Sequence, residues 1–161
     1  MEFEELLRDR RQWSIGDNCP VSQTLDLLST KTTFLIIREC FYGTTRFEDF
    51  TEHIGTSAPA VSRALKQLES AGIICRSPYQ EPGQRARDEY HLTPAGEDLL
   101  PVFISLMHWG STHLQHGRPP LNLVDKKSGR PISVRLTDDP KDASVSSKDI
   151  EIRLAPERRR S

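Results

Sequence analysis

Hydrophobic residues recur at helical spacing in four successive segments of the first half of the chain. Within each segment they lie three or four positions apart, which places them on one face of an amphipathic α-helix. Thr45 and Glu48 have the spacing of a capping box, and Pro20 and Pro59 stand where helices begin. The sequence therefore predicts helices over about 20–29, 31–42, 45–54 and 57–71, with the inward stripes Val21, Leu25 and Leu28; Phe34, Ile37 and Phe41; Phe47, Phe50 and Ile54; and Val61, Leu65 and Leu68.

The pattern changes after the fourth helix. Residues 73–75 and 89–92 are typical of two short strands, and the segment from 79 to 87 is rich in Pro, Gly and charge, which predicts a hairpin loop. Thr93 and Pro94 then start a last helix. This order is the layout of a winged helix-turn-helix, so the predicted fold class is mainly α, of the α+β type.

The last predicted helix carries apolar residues on more than one face. A helix of this kind must be covered on several sides, and a monomer of this size offers too little surface to do so. The pattern therefore predicts that two copies of the chain associate.

The composition narrows the function classes. The chain has 161 residues, of which 35% are hydrophobic, enough for one modest core with part of the chain outside it. No apolar run could span a membrane, and the acidic start lacks the apolar region of a secretory signal, so we expect a cytoplasmic protein with no membrane partner. The three cysteines are too widely spaced for a disulfide framework or a cysteine zinc site.

The charge distribution points to nucleic acid more clearly than the net charge of -1 does. Residues 59–87 hold five basic and two acidic residues, so this segment is locally positive. Its fourth helix would enter the major groove as a recognition helix. Arg63 is the candidate for a bidentate contact with guanine, and Lys66 for a phosphate contact. The predicted DNA-contacting residues of this segment are Ser57, Pro59, Ala60, Ser62, Arg63, Lys66 and Gln67 on the helix, and Arg85 and Arg87 on the loop.

Three other interpretations fit parts of the pattern. The fourth helix could be an ordinary surface helix whose charges only keep the protein in solution, although the ribbon that follows it favours DNA binding. The winged helix could also be a protein–protein interaction module without specific DNA binding. An enzyme is disfavoured, because no nucleophile–base pair, glycine-rich phosphate loop or paired carboxylates stand out.

Several motifs in a fixed order resemble the HxlR-type regulators, a branch of winged-helix repressors and activators related to the MarR group. The resemblance extends over about residues 18–110. It is carried by Cys19-Pro20-Val21, by Leu25-Asp26-Leu27-Leu28, and by residues 31–39, 46–50, 57–72 and 87–96. Thr32 stands where the family commonly has tryptophan, and the wing is slightly longer than usual and gains Arg85.

The resemblance implies a homodimer on palindromic, double-stranded operator DNA, without a cofactor and with an effector that stays unknown. Lys31, Arg46 and Arg87 would lie near the phosphate backbone. The chain would divide into an N-terminal dimerisation arm (1–17), a winged helix-turn-helix domain (18–117) and a C-terminal extension (118–161). The implied dimer interface consists of residues from both terminal segments, namely Phe3, Leu7, Leu99, Phe103, Leu106, Met107, Trp109 and Leu114.

The resemblance also draws attention to Cys19. In several relatives of this type the cysteine at this position senses oxidants or electrophiles, which suggests a redox or quinone-type sensor here. A thiolate is favoured at a helix N-terminus, where Cys19 precedes Pro20. The alternative is a small buried residue that only caps the helix. Cys40 and Cys75 are predicted to be structural.

The C-terminal extension contains three predicted short strands, at 121–124, 132–136 and 150–154. Some HxlR-type relatives carry a small zinc ribbon there, but this chain has Ser128 where such tails often have cysteine. The extension is therefore interpreted as a metal-free descendant of the ribbon that packs on the partner subunit, or as a partly disordered linker ending in Arg158, Arg159 and Arg160. His113 and His116 are three apart but have no obvious carboxylate partner, so no metal site is predicted.

Overall fold

The fold begins with four helices, which are followed by a hairpin, two further helices and a second pair of strands. A computed structural model describes residues 2–80, 82–83, 86–138 and 144–155. The elements are α1 (Pro20–Leu27), α2 (Lys31–Phe41), α3 (Phe47–Ile54), α4 (Ala58–Ser70), β1 (Ile74–Tyr79), β2 (Arg87–Leu92), α5 (Pro94–Glu97), α6 (Leu100–Leu114), β3 (Leu121–Asp125) and β4 (Ile150–Leu154), with single 3-10 turns at Glu5–Leu7, Gly16–Asn18 and Ser147–Asp149. The predicted fold class is confirmed. Along these described ranges, no helix is long and apolar enough to cross a membrane.

Local signals set most helix limits. The Thr30 hydroxyl accepts a hydrogen bond from the Thr33 backbone N–H at 3.1 Å and so starts α2. Gly55, with φ of 66°, ends α3 in the left-handed region that glycine adopts without strain. The predicted capping box of α3 is wrong, because the N-cap is Arg46 and not Thr45. Thr45 is drawn into the neighbouring hairpin, where its carbonyl accepts a hydrogen bond from the Tyr90 N–H at 2.8 Å.

The main hydrophobic core lies where α2, α3 and α4 meet beneath the hairpin. Its fully buried apolar side chains are Ile36, Ile37, Phe50, Val61, Leu65, Leu68 and Ile74. Each large side chain removed from water contributes about 1.5–3 kcal/mol, so this cluster stabilises the packing of α2, α3 and α4 on one another. Phe50 of α3 and Val61, Leu65 and Leu68 of α4 point inward as predicted, whereas Phe34 and Phe41 of α2 are only half-buried. The inward stripe predicted for α1 is wrong, because Val21 and Leu25 are 66% and 62% exposed in the single chain.

The wing consists of β1 and β2, which pair antiparallel from Ile74 opposite Leu92 to Tyr79 opposite Arg87. Both strands are longer than predicted. Pro78 is tolerated within β1 because a two-stranded ribbon leaves one side of each strand unpaired. Arg85 lies outside the described residues, so its predicted contact stays a prediction.

The last predicted helix is broken into α5 and α6. Thr93 caps α5 as predicted, because its hydroxyl accepts a hydrogen bond from the Gly96 N–H at 3.2 Å. Pro101 stands in the first turn of α6. Proline has no N–H to donate to the carbonyl four residues earlier, so the chain cannot run on from α5 as one regular helix.

The C-terminal extension folds back on its own subunit. Strands β3 and β4 pair antiparallel, from Leu121 opposite Leu154 to Asp125 opposite Ile150. The strand predicted at 132–136 does not form, and the chain there makes a single bridge between Val124 and Pro131. A second apolar cluster joins the extension to α6 and α2; its buried members are Phe103, Ile104 and Leu123, with Phe34, Phe41, Tyr42, Leu100, Met107, Ile132 and Ile150 packed against them. The extension therefore covers one side of α6. Arg158, Arg159 and Arg160 lie outside the described residues.

The N-terminal arm folds locally, around the Trp13 ring. It contains the 3-10 turn Glu5–Leu7 and leads into a second 3-10 turn at Gly16–Asn18. The Trp13 ring packs edge-on against Phe3, with centroids 5.5 Å apart, and its Nε1 donates a hydrogen bond to the Leu7 carbonyl at 2.9 Å. The Arg10 guanidinium stacks over Trp13 at 3.9 Å from the ring centroid.

Candidate nucleic-acid interface

Helix α4 has one buried face and one open face. Val61, Ala64, Leu65 and Leu68 on the inner face are at most 4% exposed. Their spacing follows the helical repeat, so the residues between them must point outward. The helix is thereby held rigidly by the core along its inner side and presents its other side to the surroundings.

The open face of α4 carries two cations without acidic neighbours. Arg63 and Lys66 are exposed, and neither side chain makes a hydrogen bond or ion pair with any described residue. Ser57 and Pro59 are also exposed at the helix start, while Ala60 and Ser62 are half-buried. Ser57 is the N-cap, as predicted. The face thus offers unpaired positive charge on a rigid support, which is what attraction to phosphate requires.

Gln67 serves a different purpose from the other predicted contacts on α4. Its Nε2 donates a hydrogen bond to the Leu27 carbonyl at 2.7 Å, at the last residue of α1. The final carbonyls of a helix have no partner within the helix, so this bond satisfies one of them and ties α1 to α4. Because its amide is engaged within the protein, we leave Gln67 out of the proposed DNA contacts.

The two arginines predicted near phosphates lie on adjoining elements, and both contact carboxylates. Arg46 Nε is 3.7 Å from Glu89 Oε1, and Arg87 Nη1 is 3.2 Å from Glu48 Oε1. The Arg46 guanidinium also lies over the Tyr79 ring, 4.7 Å from its centroid. Each of these two ion pairs joins the start of α3 to strand β2. Lys31, the first residue of α2, is exposed.

The positive charge of residues 59–87 is therefore concentrated on α4. Arg76 on β1 is balanced by Glu69, at 3.0 Å, and by Asp88, at 3.4 Å. These carboxylates, Glu69 first, raise the pKa of Arg76. Since Arg87 is also paired, the cations of this segment without a carboxylate partner among the described residues are Arg63 and Lys66.

A buried carboxylate that the sequence reasoning missed supports α3. Glu39 of α2 is 5% exposed. Its Oε1 accepts two hydrogen bonds from Arg38, and its Oε2 accepts one from the Thr44 hydroxyl at 3.0 Å and lies 3.2 Å from His53 Nδ1 on α3. The sequence carried one signal for it: Glu39 lies three positions after Ile36, on the inward face of an apolar helix.

Comparison with known proteins places this arrangement in a family. The model of the family described as HxlR-like helix-turn-helix matches residues 27–118, which contain α2 to α6 and the wing. The chain belongs to the HxlR-like helix-turn-helix family. The family assignment made from the sequence motifs is thus confirmed.

Individual relatives of this HxlR-like protein are transcriptional regulators by name. An uncharacterized HTH-type transcriptional regulator of Mycobacterium tuberculosis is 35% identical over 117 residues, which are 72% of this chain and 73% of the relative. The solved structure of PA1607, described as a transcription factor, superposes with a TM-score of 0.67 at 28% identity, over 82% of this chain and 96% of that one. The oxidized form of HypR, described as a redox regulator, has a TM-score of 0.53 at 28% identity, over 59% of this chain and 97% of that one.

The three thiols of this HxlR-like protein have distinct surroundings. Cys19 is the half-buried N-cap residue of α1. Cys40 packs against the main core, and burial, assisted by the neighbouring Glu39 charge, raises its pKa to about 12. Cys75 on β1 is exposed, although the sequence suggested a structural residue. Cys40 is therefore protonated near neutral pH, and the accessible thiols are Cys19 and Cys75.

The outer side of α6 remains apolar and open in the single chain. Trp109 is 57% exposed and Leu114 is 70% exposed, and Val102 and Leu106 lie exposed beside them. Of the other residues predicted at a dimer interface, Phe103 is buried against Phe41 of its own subunit, and Leu99 and Met107 pack on the two cores. Phe3 is exposed and Leu7 half-buried on the N-terminal arm. The open apolar face is thus narrower than the predicted one, because Phe103 belongs to the subunit core.

Histidines of α6 do not gather into a metal-binding group. His113 packs against the Trp109 ring, with centroids 5.2 Å apart. Within the part of the chain that the structure describes, no cluster of three His, Cys, Asp or Glu side chains could hold a metal ion.

Proposed function

We propose that this HxlR-like protein binds operator DNA as a homodimer and controls the transcription of nearby genes. The observation that carries the proposal is the open face of α4, where Arg63 and Lys66 are exposed without a carboxylate partner among the described residues while the opposite face is fixed in the core. A rigid helix with unpaired cations beside a two-stranded wing suits insertion into the major groove.

The proposed contacts divide into base and backbone contacts. Arg63 reads a guanine through its planar fork, and Ser62 contacts a base or a phosphate. The phosphate contacts come from Lys66 on α4, Lys31 at the start of α2, and Arg46 and Arg87 at the junction of α3 and the wing. Ser57, Pro59 and Ala60 lie at the start of α4, where the helix would approach the backbone.

The proposed dimer covers the open face of α6. Leu106, Trp109 and Leu114 form an exposed apolar surface in one chain, and contact with a second copy would remove it from water. A two-fold dimer presents two α4 helices in opposite orientations, so its operator should be palindromic.

A binding titration on genomic promoter fragments tests this function. The wild-type protein should shift a subset of fragments in a salt-dependent way, and Arg63→Ala should weaken that binding about 10- to 100-fold, the effect of losing a bidentate base contact. Arg118→Ala is the matched control, because it removes the same charge from an exposed position after α6 and should change binding little. Equal loss in both variants would mean that only net charge matters, and absence of any shift would favour the protein-interaction alternative.

We also propose that Cys19 makes DNA binding responsive to electrophiles. Its half-buried position as the N-cap residue of α1 supports this role, as does the likeness to a redox regulator. With a quinone, the Cys19 sulfur would add to a ring carbon, the thiol proton would pass to one ring oxygen, and the hydrogen of the attacked carbon would move as a proton to the other oxygen. The product is a hydroquinone thioether, formed without an external oxidant or reductant. The bulky adduct would displace α1 and, through the Gln67 bond, disturb α4.

The cysteine proposal is tested by comparing single-thiol variants. Treatment with a quinone should release wild-type protein from its DNA, and Cys19→Ser should abolish the release. Cys75→Ser removes the other accessible thiol and should respond like the wild type. If Cys19→Ser is released as readily as the wild type, Cys19 is only a helix-capping residue.

A further inference from the structure

The start of α3 and strand β2 each carry an arginine and a glutamate two positions apart. Arg46 and Glu48 stand at the start of α3, and Arg87 and Glu89 on β2. The backbone keeps the two elements together, because Arg46 and Glu89 form a β-bridge and the Tyr90 N–H donates to the Thr45 carbonyl. Each arginine therefore meets the glutamate of the other element, and the four side chains carry no net charge.

We propose that Glu48 restrains non-specific DNA binding by occupying the Arg87 guanidinium in the DNA-free protein. The inference rests on the proposed function, in which Arg87 contacts a phosphate. Arg87 and Glu48 are 52% and 62% exposed, so their contact at 3.2 Å is solvent-screened and can be exchanged for another anion. A DNA phosphate must displace the Glu48 carboxylate, and the carboxylate then remains nearby as an uncompensated negative charge.

This restraint acts on the sequence-independent part of the affinity. Non-specific binding is supplied almost entirely by attraction between protein cations and phosphates. Sequence is read by contacts to base edges, which the proposed function assigns to Arg63, and Arg63 has no ion-pair partner in the described part of the chain. In the DNA-free protein, the arginines proposed to contact phosphate, Arg46 and Arg87, are thus paired with carboxylates. Arg63, which is proposed to read a base, has no such pairing among the described residues.

Glu52 provides a matched control on the same helix. It lies one turn after Glu48 on α3 and is also exposed, but its side chain makes no hydrogen bond or ion pair with any residue that the structure describes. Glu48→Gln and Glu52→Gln therefore remove the same charge, and the former alone releases an arginine.

The experiment measures binding of the full-length protein to a labelled duplex of random sequence, long enough for both subunits, over a series of salt concentrations. Compared with the wild type, Glu48→Gln should bind roughly fivefold more tightly at low salt, with a salt dependence steeper by about one ion per subunit. Glu52→Gln should have a smaller effect. In an Arg87→Gln background, Glu48→Gln should no longer differ from Glu52→Gln, because no arginine is left to release.

The possible failures are distinguishable. If the wild type binds no duplex at any salt concentration, the proposed function fails and the inference fails with it. If the wild type binds but Glu48→Gln equals Glu52→Gln, or keeps its advantage without Arg87, the inference alone is overturned. Weaker binding by Glu48→Gln also overturns it, since the pair would then position the wing for DNA. Unchanged thermal unfolding of both variants, expected for exposed side chains, ensures that the comparison concerns DNA binding.

Discussion

Glu39 shows how a single buried charge can hold two helices of this protein together. Its carboxylate receives hydrogen bonds from Arg38 and Thr44 and contacts His53 of α3, so α2, the following turn and α3 share one polar junction. Arg38 and His53 are 30% and 51% exposed and can turn to water without Glu39, whereas the buried Thr44 hydroxyl would lose its carboxylate acceptor.

Replacing Glu39 should therefore lower stability markedly. We expect Glu39→Ala to reduce the free energy of unfolding by about 1–3 kcal/mol, measured by urea denaturation at fixed protein concentration. The exposed Glu52→Ala should stay within about 0.5 kcal/mol of the wild type. A loss of less than about 0.5 kcal/mol for Glu39→Ala would mean that water takes the place of the carboxylate without a cost in stability.

Residue roles were only partly predictable from the sequence. The outward position of Arg63 and Lys66 follows from the helical repeat of Val61, Leu65 and Leu68. The bond from Gln67 to Leu27 and the pairing of Arg87 with Glu48 join positions about 40 residues apart, and periodicity within one helix contains no information about such contacts.

At the scale of elements, short α5 acts as a spacer between the wing and α6. Gly96 allows it to approach the backbone after α4 closely, because a Cβ atom at this position would lie 2.2 Å from the Ile73 carbonyl oxygen and 2.9 Å from a Leu92 methyl carbon. The nearer atom belongs to the backbone, which cannot move aside without shifting the wing.

Gly96→Ala should thus destabilise the protein by about 1–3 kcal/mol, as expected for overpacking of a close contact. Gly110→Ala in α6 is the control, because within the subunit its Cβ would meet nothing within 4 Å; both variants are compared at a dilution where the protein is monomeric, since Gly110 lies between Leu106 and Leu114 on the proposed dimer face. That change should stabilise the protein by about 0.5–1 kcal/mol through helix propensity. Thermal unfolding of both variants measures the difference, and equal shifts would show that the Gly96 contact is looser than the geometry indicates.

Element prediction succeeded where the signals were local. The stripes and caps of α2 and α4 lie within a few residues of one another, and both helices formed close to their predicted bounds. The capping box at Thr45 failed because the wing, distant in sequence, captured the Thr45 carbonyl. Pro101 was a local signal for the break before α6. The apolar residues around it nevertheless led to the prediction of one continuous helix.

At the scale of the whole molecule, α6 is covered on one side by the extension and bare on the other. Leu123, Ile132 and Ile150 close the first side within the subunit. Leu106 and Trp109 remain exposed on the second. The extension therefore covers only one side of α6. The apolar surface that stays exposed on the other side still favours contact with a partner.

Leu106→Glu should weaken dimerisation at least about tenfold, because burying an unpaired carboxylate in an apolar interface costs well over 1.4 kcal/mol. Leu136→Glu introduces the same charge at a fully exposed leucine of the extension and should leave the dimer intact. Light scattering across a dilution series distinguishes the two. Dimers of equal strength in both variants would place the interface elsewhere.

Selection of bound DNA from a fragmented genome, using purified full-length protein and sequencing, tests most directly whether paired α4 helices read an operator. The expected result is enrichment of palindromic sites whose half-sites are centred about 10 base pairs or a multiple apart, one helical turn of DNA, with relaxed preference at one symmetric position for Arg63→Ala. Enrichment of fragments without symmetry, or no enrichment over the input DNA, would contradict the proposal that paired α4 helices read an operator.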